Sequence, residues 1–267
     1  MKDIKWYRAW EIVYPVGIYY VLMNVATFVV CLIVPLTDES YGFIKVLTTL
    51  FVLPVVYVMY RNDQLRRGVQ KAKAKELLFD MRSEIVPLLG ILVMAACAAV
   101  VLNNLIAWTP LMKVSATYQS VTRKFFGGAV IFEILGPCIL VPVLEEYVFR
   151  GLVYKRLREW LGMTWAVVIS AIIFGMMHMN IVQFVYAGFL GVFLALCVER
   201  TKHLYGAILA HMAANTISVI RTETNWLSWM DESLQAQALT TVGMGLVFIG
   251  LYLLVFWKGK GDGKKII

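Results

Sequence analysis

A small set of polar residues in the second half of the chain combines side chains that can activate water. Glu145 and Glu146 stand side by side in LEEYVFRG, near the end of a long apolar run. His178 lies in a second apolar stretch, and His211 and Asn215 share a third. Ionisable residues are costly to place inside a membrane and therefore mark candidate functional sites. A carboxylate in apolar surroundings can act as a general base toward water, while imidazole and amide groups can stabilise an oxyanion. The set predicts a hydrolase site that needs no serine or cysteine nucleophile.

The spacing of these residues divides the roles between them. On a helix, Glu145 and Glu146 point about 100° apart, so the two carboxylates cannot serve the same point. Glu146 and Arg150 are four residues apart, which places them on one helix face as an ion pair and leaves Glu145 free for chemistry. Phe149 and Phe174 lie close to these polar positions in sequence and are predicted to form walls of the pocket.

Other uses of the same residues stay open at the level of the sequence. Glu145, His178 and His211 resemble a zinc site with two histidines, one carboxylate and an open position. The chain lacks HExxH, so no local zinc signature supports a metal site, and a metal-free hydrolase is favoured over one that uses a divalent metal such as zinc. A purely structural role and a proton-coupled transporter are further alternatives. Against the transporter, no matching pair of Gly/Pro-broken segments is evident in two halves of the chain.

The elements that must position these residues are apolar segments of membrane-spanning length. Hydrophobic residues make up 60% of the chain, and the mean hydropathy is +0.74. Eight segments are long and apolar enough to cross about 30 Å of hydrocarbon, which takes roughly 20 helical residues. The sequence therefore predicts an all-α, polytopic membrane helical bundle with eight transmembrane helices. The predicted spans are Trp10–Leu36, Phe43–Tyr60, Ile85–Trp108, Phe125–Phe149, Met163–Met179, Ile181–Val198, Leu204–Ile220 and Leu239–Trp257.

The candidate residues fall at comparable depths in their predicted helices. Counted from basic residues at the inner boundary, Glu145 and His211 lie about 15 Å and about 14 Å deep at the helical rise per residue. Counted from Trp165 as an interfacial anchor, His178 lies about 20 Å deep. The sequence therefore predicts one shared site near the middle of the membrane.

The net charge of +8 is distributed unevenly between the two predicted sides of the membrane. With eight spans and the N-terminus inside, the inner segments hold 20 of the 25 Lys and Arg residues. Such an excess marks the cytoplasmic side, so both termini are predicted to be cytoplasmic. The basic charge is then expected to contact anionic lipid, and a nucleic-acid partner is not expected. Residues 61–84, which mix charges at helical spacing, are predicted to form an amphipathic cytoplasmic helix.

The chain is predicted to form one integrated membrane domain in three parts. Residues 1–124 hold the N-terminal transmembrane helices and the basic connector, residues 125–220 hold the catalytic core, and residues 221–267 hold the last span and a basic tail. The four cysteines all lie in apolar segments without a CxxC pair, so buried structural thiols are expected.

Three motifs resemble those of a known family. EEYVFR (145–150) fits EExxxR, FGMMH (174–178) fits FxxxH, and HMAAN (211–215) fits HxxxN. In this order they resemble the CPBP intramembrane proteases, also called the Abi or CAAX-protease family, and the resemblance covers about residues 125–220.

The resemblance implies a membrane-embedded endopeptidase and a role for each motif residue. It implies that Glu145 and His178 activate water, that His211 and Asn215 stabilise the oxyanion, and that Glu146 and Arg150 brace the site. Members of the family are often labelled metalloproteases, and a metal-free mechanism has also been argued.

The resemblance gives a broad expectation for the partners of the chain. A peptide or membrane-protein substrate is expected, and the short loops favour a prokaryotic cell-membrane protein for which prenylated substrates are not expected. A non-catalytic membrane scaffold or regulator is the alternative function.

Overall fold

The computed structural model describes residues 2–68 and 84–257 of the chain, which fold as a bundle of helices. The segment at 69–83 and the tail from residue 258 lie outside the described residues, so most of the predicted connector is not described. The longer helices are α1 (Lys2–Cys31), α2 (Tyr41–Arg66), α3 (Ile85–Ala107), α4 (Ala116–Phe125), α5 (Val130–Leu161), α6 (Met163–Met176), α7 (Ile181–Thr201), α8 (Leu204–Glu223) and α9 (Leu234–Tyr252).

The helices confirm an all-α polytopic bundle, whereas the count of eight spans is not confirmed. Among the described residues, five helices are long and apolar enough to cross a membrane, namely α1, α2, α3, α7 and the helix that begins as α9. A sixth span is possible if α4 and α5, which meet at a bend of 115°, form one broken span. The 14 residues of α6 extend only about 21 Å, which is shorter than the hydrocarbon layer. The 20-residue α8 is less apolar because it carries His211, Asn215 and Arg221.

Helix α5 alternates between α-helical and π-helical segments, and its prolines explain the first of these changes. Proline has no N–H and its ring crowds the preceding turn, so Pro137 and Pro142 disrupt the regular α-helical hydrogen bonding of this part of α5. The N–H of Val141 donates to the carbonyl of Gly136, five residues earlier, which is the π-helical pattern. The next bond of that pattern would join residue 142 to the carbonyl of Pro137. Because Pro142 has no N–H, that carbonyl is left for another donor.

Helix α5 lies at the centre of the bundle. It packs against α1, α2, α6 and α8, while α6 packs against α7 and α3 packs against both α8 and α9. Leu144 and Tyr154 of α5 are fully buried in one apolar core together with Ile91 and Met94 of α3 and Leu194 of α7. The core therefore surrounds the part of α5 that carries the two adjacent glutamates.

Part of the predicted connector is helical and buried. Helix α2 continues to Arg66, and Asp63 near its end is 8% exposed and receives a 2.5 Å hydrogen bond from Arg156 of α5. The first residues of the connector therefore extend a membrane helix and do not start a separate cytoplasmic one. The ion pair between Asp63 and Arg156 therefore joins the end of α2 to α5.

Candidate active site

The candidate residues lie on α5, on α8 and just after α6. Glu145 and Glu146 end the α-helical segment of α5 that lies between its two π-helical segments. His211 and Asn215 lie one turn apart on α8, and His178 follows α6 by two residues. Because α5 packs directly against α6 and α8, residues that are far apart in sequence come together.

His211 bridges the two adjacent glutamates. Its Nδ1 lies 2.9 Å from Oε1 of Glu146, and its Nε2 lies 3.9 Å from Oε2 of Glu145. An ionised carboxylate can only accept hydrogen bonds, so Nδ1 carries a proton and donates it to Glu146. The side chain of His211 is therefore held with Nε2 toward Glu145.

Glu146 is held by a buried arginine. Nη1 of Arg150 donates to Oε1 of Glu146 at 2.9 Å, and Nη2 donates to the carbonyl of Gly191 at 3.1 Å. Neither charged side chain is exposed, and the guanidinium lies 4.4 Å from the ring centroid of Phe174. Removing one member of a buried ion pair strands the other charge and is strongly destabilising. Arg150 thus connects α5 to α6 and α7 and keeps Glu146 in place.

Glu145 has fewer and longer contacts than its neighbour. The hydroxyl of Tyr19 on α1 donates to Oε1 at 3.4 Å, and Oε2 faces His211 at 3.9 Å. The side chain is 12% exposed, against 0% for Glu146. The two glutamates, which are adjacent in sequence, therefore meet different surroundings, and Glu145 keeps its capacity to bind water.

The backbone sets the orientation of the His178 ring. Its Nδ1 lies 3.0 Å from the carbonyl oxygen of Phe174. Because a carbonyl oxygen can only accept, Nδ1 carries the proton, and Nε2 of the neutral ring is left as an acceptor. Asn180 fixes the turn that follows: its Nδ2 donates to the carbonyl of His178 at 3.1 Å, and its Oδ1 accepts from the N–H of Gln183 at 2.9 Å.

Asn215 donates to the carbonyl that the prolines of α5 leave unpaired. Its Nδ2 lies 2.8 Å from the oxygen of Pro137. This bond ties α8 to the first π-helical segment of α5. An amide nitrogen carries two hydrogens, so one N–H of Asn215 remains available after this bond.

The two predicted wall residues have different positions. Phe174 lines the cavity and meets the rings of His178 and His211 edge-on, with centroids 5.1 Å and 5.7 Å away. Phe149 is not among the residues that line this cavity, and its role as a wall of the site stays a prediction. Its ring is fully buried and packs against the rings of Tyr19 and Phe174, both of which line the cavity.

A cavity of about 690 Å³ contains the candidate site. Glu145, His178, His211 and Asn215 all line it. Helix α4 contributes a stripe of its wall, consisting of Tyr118, Val121, Thr122 and Phe125. Ligand pockets commonly measure roughly 300–1,000 Å³, so the space is large enough for a short peptide segment.

The motifs did not reveal several residues that shape the site. Tyr19 contacts Glu145 from a helix that is far away in sequence, and no local pattern marks it. Gly191 lets α7 approach Arg150 and Phe174, since an added Cβ would lie 3.2 Å from each side chain. Asn180 could have been found, because an asparagine three residues before a glutamine at a helix start is a capping signal.

The predicted metal ligands do not form a complete site as they are placed. Within residues 2–68 and 84–257, no three His, Cys, Asp or Glu side chains converge closely enough to hold a metal ion. Glu145, His178 and His211 supply suitable donor atoms, but the arrangement does not fit a shared metal. We derive no chemical step through one.

Comparison with known proteins shows what the motif-bearing segment is similar to. Residues 127–217 match the family model for the type II CAAX prenyl endopeptidase Rce1-like proteins. A relative is YdiL of Bacillus subtilis (strain 168), whose name proposes that it is a membrane peptidase. It is 34% identical over 92 residues, which are 34% of this chain and 38% of the Bacillus protein. No solved structure matches the chain.

The two matches agree with each other and with the motifs. The family model spans all three motifs, from EEYVFR to HMAAN, and the aligned length in the Bacillus relative is almost the same. Over residues 127–217, the chain is therefore similar to the Rce1-like proteins of the CPBP family.

Proposed function

We propose that the chain is an intramembrane endopeptidase that hydrolyses a peptide bond in a membrane-associated or exported peptide. The contrast between the adjacent glutamates carries the proposal. Oε1 of Glu146 accepts hydrogen bonds from both Arg150 and His211, whereas Glu145 faces the cavity with a weak tyrosine contact. General-base hydrolysis requires a carboxylate that can bind water. A nearby imidazole nitrogen that is free to accept a hydrogen bond can help to hold that water.

Water activation falls to Glu145 and His178. A water held between the Glu145 carboxylate and Nε2 of His178 loses a proton to Glu145 as its oxygen attacks the peptide carbonyl carbon. The tetrahedral intermediate then collapses, the C–N bond breaks, and Glu145 returns the proton to the leaving nitrogen. The products are a carboxylic acid and an amine, and the enzyme regains its starting state.

His211 and Asn215 are suited to the negative charge that develops on the substrate oxygen. Asn215 has a second N–H to donate once its first has bonded to Pro137. Nε2 of His211 faces Glu145, and with a proton on that nitrogen it would donate to the oxyanion. A lost donor of this kind typically lowers the rate by about 10²–10³.

The test compares peptide termini in membrane and secreted fractions of cells that carry the wild type, Glu145→Gln or no copy. Glu39→Gln is the matched control, because Glu39 is exposed in the turn before α2. Termini that appear with the wild type and with Glu39→Gln, and disappear with Glu145→Gln at equal protein level, support the proposal and identify the substrate. Identical termini with wild type and Glu145→Gln, both differing from the null strain, would favour a non-catalytic scaffold.

A purified preparation sharpens this result. The full chain in detergent is incubated with the candidate substrate in H₂¹⁸O. Hydrolysis places one ¹⁸O in the new carboxyl group, because the attacking oxygen comes from water. Absence of the label from a Glu145-dependent product would contradict direct attack by water.

A further inference from the structure

One positive charge in the cavity wall has no acidic partner. Lys45 of α2 lines the same cavity as Glu145, and no carboxylate of the described residues lies within 4 Å of its ammonium. Its charged group is instead 5.7 Å from the ring centroid of Tyr41, one turn earlier on the same helix. A charge held next to apolar surroundings without an ion-pair partner is a candidate binding group.

Arg221, the other Lys or Arg among the described residues that line the cavity, is already paired. Nη2 of Arg221 lies 2.5 Å from Oδ1 of Asp231 and donates to Oδ1 of Asn104 at 2.6 Å. Arg221 is therefore neutralised by protein groups. Lys45 differs because its charge remains available to whatever occupies the cavity.

The position of Lys45 also places its side chain in the wall of the cavity that contains the candidate catalytic residues. Lys45, Glu145 and His178 all line this cavity. The start of α2 is held tightly against α5, since a Cβ added at Gly42 would lie 3.1 Å from Cβ of Phe132. Lys45, one turn further along, is therefore carried on a fixed part of the wall.

We propose that Lys45 binds a carboxylate of the substrate peptide and so selects peptides with an acidic group beside the bond that is cut. The inference rests on the proposed peptidase function and adds a specificity residue outside the segment that matches the family. The group bound is either the C-terminal carboxylate or a glutamate or aspartate side chain. An ion pair inside a cavity is stronger than one at an open surface because less water screens it.

The first experiment measures binding without turnover. Purified Glu145→Gln in detergent is titrated by calorimetry with an acetylated pentapeptide of leucine, valine and alanine. Three versions are used: a free C-terminal acid, a C-terminal amide, and an amide with glutamate at the last position. These versions separate the two sources of the carboxylate. Lys45→Met and Lys45→Arg are added to this background, and Lys113→Met, at an exposed lysine that is not part of the cavity wall, is the matched control.

We expect the Glu145→Gln protein to bind at least one acidic version about tenfold more tightly than the plain amide, the size of one charged hydrogen bond. Lys45→Met should abolish this preference, whereas Lys45→Arg and Lys113→Met should keep it. Equal affinity for all three versions, absence of binding by the acidic ones, or a preference that survives in Lys45→Met would each overturn the proposal.

A second experiment separates this proposal from the peptidase function. On the substrate found through its Glu145-dependent termini, Lys45→Met should raise KM about tenfold with little change in kcat, because the carboxylate contact does not involve the reacting atoms. A fall in kcat alone would contradict a role in binding. If no Glu145-dependent cleavage exists while Lys45 still determines acid binding, the peptidase function fails and the carboxylate site stands.

Discussion

Glu145 and Glu199 show how two buried regions of the same bundle use a glutamate differently. Near the end of α7, Glu199 receives the Tyr154 hydroxyl at 2.6 Å and Nε of Arg158 at 2.7 Å, and Lys202 lies 3.5 Å away. In the cavity, Glu145 has only a 3.4 Å contact with a tyrosine and a 3.9 Å approach to a histidine. The carboxylate of Glu199 is saturated by protein donors, and that of Glu145 is not.

We propose that this difference separates a structural charge at Glu199 from a reactive one at Glu145. The donors around Glu199 stabilise its charge and join α5 to α7, and Glu199 does not line the cavity. Glu145 lacks such close donors and borders a cavity instead. A buried carboxylate that has few protein donors and borders an open cavity is therefore a better candidate for catalysis in this protein than one that is only buried.

Replacing the carboxylate of Glu145 or of Glu199 by an amide should have the largest effect that distinguishes the two residues. We expect Glu145→Gln to lower the hydrolysis rate about 10³-fold, because a general base typically contributes 10²–10⁴. Glu199→Gln should keep kcat within a few-fold and lower the unfolding temperature, since Arg158 and Lys202 lose the charge that they share. Steady-state kinetics and thermal unfolding in the same detergent measure both effects. Loss of activity in Glu199→Gln without loss of stability would contradict the division.

The two bonds of Asn215 can be tested separately. Asn215→Ala should lower kcat about 10²-fold through loss of an oxyanion donor. It should also lower stability by about 1–3 kcal/mol, because the Pro137 carbonyl loses its donor. Pro142→Ala restores an N–H at the position from which a π-helix would bond to Pro137, so the double variant should regain stability and remain inactive. Recovery of activity along with stability would show that Asn215 is only structural.

The close packing that carries His178 toward the site is tested at a glycine. A Cβ at Gly175 would lie 2.8 Å from the backbone oxygen of Phe184 on α7, so Gly175→Ala must separate α6 from α7. We expect a loss of about 1–3 kcal/mol in stability and a fall in activity, as overpacking usually causes. Gly243→Ala is the control, since its Cβ meets nothing within 4 Å and alanine favours a helix. An equal effect of both substitutions would contradict the packing argument.

The smallest effect is expected from the exposed ion pair beside the cavity. The hydrogen bond from Arg221 lowers the pKa of Asp231, which lies outside the candidate spans. A carboxyl group with a lower pKa in the folded state stabilises the fold above its unfolded pKa, and this contribution is lost as the pH falls through the folded value. Asp231→Asn should therefore flatten the acidic side of the profile of unfolding temperature against pH. A profile parallel to that of the wild type would contradict this assignment.

The motifs allowed much of the site to be anticipated, whereas the number of spans did not follow from hydropathy. The i, i+4 relation of Glu146 and Arg150 is local, so helical geometry alone brings the pair together. The sequence predicts that Leu204–Ile220 crosses the membrane, although His211 and Asn215 lower the hydropathy of this segment. The segment before His178 is also a predicted span, but it forms a helix of only 14 residues. A helix that carries polar groups for a site, or that is covered by other helices, need not meet the length and apolarity of one that faces lipid.

The sequence by itself determined the helical class, the family motifs and the contacts that depend on spacing along one helix. Only the tertiary structure decided that His211 joins Glu146, that Asn215 pairs with Pro137, that Tyr19 contacts Glu145 and that Lys45 enters the same cavity. The reason is physical: periodicity gives the direction of a side chain relative to its own helix axis. The partner it meets depends on how separate helices pack, and that is set by long-range contacts such as those at Gly175.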